Sequence, residues 1–364
     1  MGKGKIIGII LAIIVVAGIG TFFLFGFMTY GKIEDSGTKY YTPASIREIE
    51  PVVIRTDVGN IDIQYNTSST PFLVKIEYEI KVSTSYMVGK TISDFFELEW
   101  DNSTLEETDK TRFILRTTPD RWIDPSKWFS VERIEIDVTL RTDIVYDIEV
   151  YATTGNAEAT FPENVRVDGL YLETTTGNSR VNVNKASIGD LRVLATTGSA
   201  SIYAKNSNLT SGIARAETTT GNLRLNFTNS LVNGDIDAEV TTGNLVFKSF
   251  NSKWLSNVNW DLTTTTGNID CDIYQYVEVS GNVVADWEVT TGNINIDYKD
   301  SLSIVGASFS GSTTTGDIDF NNSGGFEVLG GSLFRSLDFV SANYTFVFDL
   351  ETTTGNINVD GQSA

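Results

Sequence analysis

Along most of the chain, apolar and polar residues alternate with a period of two, and one short polar word interrupts the alternation at nearly even intervals. Thr-Thr-Gly-Asn, or a close variant, recurs with its glycine at 155, 177, 198, 221, 243, 267, 292, 316 and 355. The first seven spacings lie within two residues of 23, and the last is 39. A degenerate copy, Asp57-Val58-Gly59-Asn60, stands near the start. Apolar residues keep a fixed phase around the word. Five residues before the glycine stand Val150, Leu172, Val193, Ala216, Ala238, Leu262, Trp287 and Leu350. Two and four residues after it stand pairs such as Leu223/Leu225, Ile269/Cys271 and Ile357/Val359, with polar Arg224, Asp270 and Asn358 between them. Alternation on both sides of a glycine-containing bend predicts two half-buried strands per repeat, with glycine supplying positive φ at the turn.

A coil of about 23 residues holding two or three short strands predicts an all-β fold, a parallel β-solenoid (β-helix) over 153–364. Eight motifs from Gly155 to Gly316 would then extend about 34 Å at the inter-strand spacing. The 39-residue interval predicts an insertion around 324–340. The turns predict a structural ladder of Gly155/Asn156, Gly177/Asn178, Gly221/Asn222, Gly243/Asn244, Gly267/Asn268, Gly292/Asn293 and Gly355/Asn356, with Ser199 and Asp317 replacing the asparagine in two copies. Stacked asparagines hydrogen-bond along such a column, and β-branched threonine suits strands. The same flat threonine row is also a regular surface that glycan or ice would match. Residues 47–152 lack the word between Asn60 and Ala152 and read as longer strands at Val74–Val82, Phe95–Trp100, Arg112–Thr117 and Val131–Leu140, an N-terminal β-rich cap. Trp122, Trp128 and Phe129 are expected to cover the end of the stack.

The repeated pattern, carried by Thr153–Asn156, Thr175–Asn178, Thr219–Asn222, Thr241–Asn244, Thr265–Asn268, Thr290–Asn293 and Thr353–Asn356, resembles the family of putative adhesins, β-solenoid proteins that include toast-rack-like cell-envelope domains. The resemblance covers about 47–360. It implies a surface-exposed solenoid and brings no catalytic residues with it.

The first thirty residues break the pattern. Residues 6–30 carry no charge, and as a helix they would reach about 37 Å, enough to span a bilayer. Lys3 and Lys5 precede the run, which predicts a single-pass transmembrane anchor at 6–30, a cytoplasmic tip at 1–5 and an extracellular remainder. A cleaved signal peptide is the competing reading. Residues 31–46 read as a polar stalk. The whole chain of 364 residues carries −20, and with Lys3 and Lys5 set aside the part after the anchor carries 25 basic against 47 acidic residues, a net of −22. That balance favours solubility and argues against nucleic acid as a partner.

Composition also limits chemistry. The chain has no histidine and one cysteine, so His-based triads, His–zinc sites and internal disulfides are excluded. Cys271 falls on the apolar phase and is expected to be buried and inert. Acidic pairs at Asp235/Asp237, Asp270/Asp272 and Asp317/Asp319 supply oxygen ligands of the kind calcium takes, without a recognised ligand loop. Asn66, Asn102, Asn208, Asn226, Asn321 and Asn343 head Asn-x-Ser/Thr sequons and are candidate glycosylation sites. No convergent pair of acids with a base marks a catalytic centre, so no enzyme is expected and no cofactor is required. The sequence therefore predicts a surface adhesin or envelope-structural protein that binds glycan, another cell or like molecules. An envelope-stress component acting through a membrane protein partner is the alternative, and a polysaccharide-cleaving enzyme a more distant one.

Overall fold

The computed structural model describes residues 31–363, apart from 44, 67–68, 85–89, 102–109, 119–128, 211 and 302–303. The described chain is all-β, and its one helical turn is the 3-10 segment Ile92–Asp94. The expected cell-membrane localisation, single-pass with a cytoplasmic N terminus, is corrected here. No helix of the described residues is long and apolar enough to cross a membrane. Their apolar residues alternate with polar ones, which suits half-buried strands and not a continuous apolar helix. The tip at 1–5 and the span at 6–30 lie outside the described residues.

Each repeat contributes one strand to each of two parallel sheets. The strand before the glycine enters one sheet and the strand after it enters the other. Successive repeats pair in register, so Leu172 sits beside Val150 and Val193, and Leu225 beside Ile202 and Phe247. The phase read from the sequence holds throughout. Val150, Leu172, Val193, Ala216, Ala238, Leu262, Trp287 and Leu350 are all 0 % exposed, as are Leu223, Leu225 and Ile269. They meet between the sheets in one continuous apolar core. Toward the C terminus this core becomes aromatic: Trp254 and Trp260 lie 4.5 Å apart edge to face, and Phe309 stacks on Phe348 at 4.5 Å. Later repeats split the pre-glycine strand in two, as where Ser187–Thr197 pairs with both Asn208–Leu209 and Ala214–Thr220.

Two features of the connectivity differ from a stack laid down in chain order. The degenerate copy at Gly59 is a true first repeat: Glu50–Val58 pairs in parallel with Tyr146–Thr154, and Asn60–Asn66 with Ala157–Phe161. The 75 residues between 66 and 142 leave this repeat and return to its neighbour, adding an antiparallel pair to each sheet: Val74–Thr84 with Phe129–Arg141 beside Asn60–Asn66, and Phe96–Asp101 with Thr111–Thr117 beside Glu50–Val58. At the other end the final repeat is placed out of order. Thr345–Thr354 lies between Val283–Thr291 and Gly306–Thr315, and Ile357–Ser363 lies between Ile294–Asp300 and Ile318–Gly324. The expected insertion is an antiparallel hairpin, Phe326–Leu329 with Leu333–Ser336, folded against Gly306–Thr315.

The segment read as a polar stalk is not one. Gly31–Tyr41 is an edge strand pairing antiparallel with Val74–Thr84 along its whole length. An edge strand shows a mostly polar surface, and its backbone is satisfied by one neighbour, so side-chain polarity hid it. Phe129, expected in the end cover, packs on Phe95 and Phe96 at 5.1 Å each. Trp122 and Trp128 lie outside the described residues.

Candidate functional site

The repeated bend builds one continuous edge where the two sheets meet. The glycines of ten repeats stack in the order 59, 155, 177, 198, 221, 243, 267, 292, 355, 316. Each has φ between +126° and +147°, and a Cβ on any but the first would lie within 2.0 Å of the preceding glycine's carbonyl oxygen. Glycine is therefore required twice over, by backbone conformation and by the approach of the next turn.

The asparagine ladder runs beside this column. Asn60 Oδ1 accepts the Asn156 N–H at 3.0 Å, Asn156 Oδ1 the Asn178 N–H at 2.9 Å, and Asn178 Oδ1 the Ser199 N–H at 2.9 Å. It resumes through Asn222, Asn244, Asn268, Asn293 and Asn356 and ends at the Asp317 N–H. Ser199 is too short to continue it to Asn222. On the other side of the glycine lies the threonine pair of each motif. Thr153/Thr154, Thr175/Thr176, Thr196/Thr197, Thr219/Thr220, Thr241/Thr242, Thr265/Thr266, Thr290/Thr291, Thr353/Thr354 and Thr314/Thr315 are all exposed. Their hydroxyls make no hydrogen bond among the described residues. The threonine one position earlier turns inward where present, as Thr174 and Thr352 donate to the carbonyls of Gly177 and Gly355 at 3.2 and 3.0 Å.

A second turn, at the far end of the post-glycine strand, was not read from the sequence. Asn164, Lys185, Asn206, Asn229 and Asn251 occupy it with φ between +49° and +68°. Behind it an internal serine ladder runs: Ser207 Oγ accepts from the Ala186 N–H at 3.4 Å, Ser230 Oγ from Ser207 at 3.2 Å, and Ser252 Oγ from Ser230 at 3.4 Å. The signal was present as Asn-Ser at 206, 229 and 251, on the same period as the louder Thr-Thr-Gly-Asn.

The acidic pairs are dispersed. Asp235 Oδ1 accepts the Asn259 N–H at 2.8 Å, Asp237 lies 3.6 Å from Arg215, Asp270 accepts from Asn295 Nδ2 at 2.7 Å, and Asp272 is paired with Lys248. Asp319 stands beside Asn358 on the edge of its sheet. On the pre-glycine sheet Asp237, Asp261, Asp286 and Asp349 form one row in register. Partial burial, then Asp286 and Asp237, raises the carboxyl pKa of Asp261. Among the described residues no group of three or more acidic side chains is arranged to hold a metal ion. Cys271 is 3 % exposed, and burial holds its thiol well above the ordinary range. Of the sequon residues, Asn66, Asn321 and Asn343 are exposed and Asn208 and Asn226 half-buried. Thr228 of its own sequon donates to Asn226 Oδ1 at 2.9 Å. Asn102 lies outside the described residues.

The outer face of the pre-glycine sheet changes register early in the stack. Where Arg166–Thr176 pairs with Tyr146–Thr154 the register slips between Val167 and Gly169, leaving Asp168 as an extra residue. A shallow groove of about 360 Å³ opens there, with Tyr151 and Tyr171 along one side at 5.3 Å between ring centroids. Their hydroxyls donate to Glu149 (3.2 Å) and Glu173 (2.6 Å), and the Arg55 guanidinium lies 4.4 Å over Tyr151. Partial burial raises the Tyr151 and Tyr171 hydroxyls, helped by their carboxylate partners, and raises Asp147, beside Glu149.

No family model and no curated protein matches the chain. Among solved structures it is similar to a putative cell adhesion protein from Clostridium sporogenes, at 12% identity over 90% of this chain and 99% of that one, with a TM-score of 0.26. It is also similar to a putative adhesin from Bacteroides fragilis, at 10% identity over 89% and 97%, with a TM-score of 0.32. At these scores the likeness transfers neither fold detail nor activity.

Proposed function

We propose that the chain is a β-solenoid scaffold of the adhesive type, a non-catalytic protein whose repeated outer edge holds a repeating polymer of a cell envelope, a glycan before all others. The observation that carries this reading is the row of exposed threonine pairs. Nine copies stand in a stack whose turns repeat at about 4.8 Å, each presenting hydroxyls that no group among the described residues uses. A rigid array of unspent donors and acceptors loses little conformational entropy when a partner of matching order settles on it. The asparagine and glycine columns beside it are the framework that keeps the array straight.

The test is binding of the full chain to isolated cell-envelope material, measured by co-sedimentation. Wild-type chain is expected in the pellet. A variant with alanine at Thr241, Thr242, Thr265, Thr266, Thr290 and Thr291 is expected to fold unchanged, since these side chains are exposed, and to remain largely in solution. A wild-type chain that leaves all envelope material unbound removes the adhesive reading. Equal binding by the variant removes the threonine edge as its means.

A further inference from the structure

The groove at Tyr151 and Tyr171 lies where the register of the pre-glycine sheet shifts. The shift persists into the next repeat, where Gly189 stands beside Asp168 and Asp190 beside Gly169. Here the position between Asp147 and Asp190 in register is Gly169, and the residue before it, Asp168, is the extra residue of a bulge. Bulges within regular ladders re-aim a side chain, and they concentrate beside binding sites. The gap left by Gly169 is bordered by Asp147, whose Oδ1 would stand 2.7 Å from a Cβ placed there.

Four properties of this groove point to one class of ligand. First, two tyrosine rings lie side by side, half-buried, and are oriented by hydrogen bonds to Glu149 and Glu173. Rings held at one edge offer, on the faces that the Arg55 guanidinium does not cover, the apolar surface on which the C–H face of a sugar ring packs. Second, the carboxylates of Asp147 and Asp168 accept no hydrogen bond among the described residues, so they remain free to receive donors such as hydroxyl or ammonium groups. Third, Arg192 stands beside Tyr171 in register on the far side and makes no ion pair among the described residues, whereas Lys110 is paired with Glu149 and Arg55 lies over Tyr151. Fourth, the groove is open along its length, which suits a unit within a chain and not a small molecule that must be enclosed.

We propose that this groove is a saccharide-binding subsite, taking a neutral or amino-bearing pyranose unit of a polysaccharide with its ring on Tyr151 and Tyr171 and its donors on Asp147 and Asp168. The proposal rests on the reading of the chain as an adhesive scaffold and assigns it a specific site apart from the threonine edge. The excess of carboxylate over Arg192 disfavours uronic or phosphorylated sugars, because an anion placed there would be repelled and desolvated together.

The full chain is titrated with oligosaccharides of glucose, glucosamine, N-acetylglucosamine and glucuronic acid, following tyrosine fluorescence and heat of binding. Saturable binding of at least one of the first three is expected, with glucuronic oligomers binding at least tenfold more weakly. The double variant Tyr151→Ala/Tyr171→Ala is expected to lose about tenfold or more in affinity, as removal of an aromatic anchor does. Asp168→Asn, an exposed change that breaks no hydrogen bond, is expected to weaken glucosamine oligomers severalfold and N-acetylglucosamine oligomers less. It decides the matter should the double variant fail to fold. Undiminished binding by both variants overturns the site, and so does a preference for glucuronic oligomers. Envelope binding by wild-type chain with no response to any of the four sugars overturns the site and leaves the adhesive reading standing. Failure of both envelope and sugar binding removes the two together.

Discussion

Gly243→Ala and Gly324→Ala separate the two reasons for glycine in this fold. Their backbones match, with φ of +140° and +139°. Their surroundings do not. A Cβ at Gly243 would lie 1.7 Å from the carbonyl oxygen of Gly221, whereas nothing lies within 4 Å of one at Gly324. Alanine at Gly324 therefore meets only backbone strain, about 1–3 kcal/mol for a residue held in a glycine-only region. Alanine at Gly243 meets the same strain and must also push one turn off the next. Relief comes only beyond 3.0 Å, so the two backbones must part by more than an ångström against a ladder spacing of about 4.8 Å. Overpacking between side chains costs about 1–3 kcal/mol, and backbone against backbone has fewer ways to yield. The expected destabilisation is thus about 3–6 kcal/mol at Gly243 and about half that at Gly324. With an unfolding entropy of about 2.1 cal/mol/K per residue over roughly 330 residues, 4 kcal/mol lowers Tm by roughly 6 °C for a stack that melts as one unit. Urea melts and calorimetry of the two variants give the comparison, and hydrogen exchange is expected to show Gly243→Ala opening the stack at its own turn first. Equal losses, within about 0.5 kcal/mol, would refute the claim that the stacked carbonyl is the second reason for glycine.

Two further outcomes follow from named contacts. Asn244→Ala leaves the Asn268 N–H without its acceptor and should cost about 1 kcal/mol, while Asn244→Asp keeps an acceptor there and should recover most of it, as denaturant melts will show. Asp300 is 1 % exposed, takes a hydrogen bond from Tyr298 at 2.8 Å, and burial raises its carboxyl to about 6. Because the folded state holds this proton more tightly than the unfolded one, the contribution is full below about pH 4, declines as pH rises to about 6, and is absent above; the whole change is about 3 kcal/mol. Asp300→Asn should remove that slope, so stability curves of wild type and variant measured from pH 4 to 8 should diverge over pH 4–6, and parallel curves would show that the carboxyl does not titrate there.

The phase of each strand was legible because burial on one face of a two-residue period leaves no freedom: a slip of one residue would have put Leu225 and Phe247 in water. The glycine and asparagine columns were legible for a related reason, since turn chemistry names its residues. Repeat order was not. The words around Gly316 and Gly355 are nearly the same, so each fits beside Gly292 equally well by local rules, and only the aromatic packing of Phe309, Phe334 and Phe348 with the hairpin decides which lies outermost. The groove was hidden differently. Asp168-Gly169 reads as an ordinary turn pair, and the one-residue bulge shows only as a step of three residues from Val167 to Leu170 in an alternation that otherwise runs by two. Gly31–Tyr41 was missed because pairing at a sheet edge is made by backbone groups, which composition does not report.

The out-of-order final repeat has a consequence for how the molecule is made. Residues 345–363 are the last of the described chain to leave a ribosome, yet they sit one place in from the end. Until they arrive, the strands at 283–300 end in a row of unpaired amides and carbonyls that the repeat at 306–324, whose word is nearly the same, fits by local rules as well as the final repeat does. The final repeat thus works as a clasp: paired on both sides, it holds the outer repeat and its hairpin to the rest of the stack.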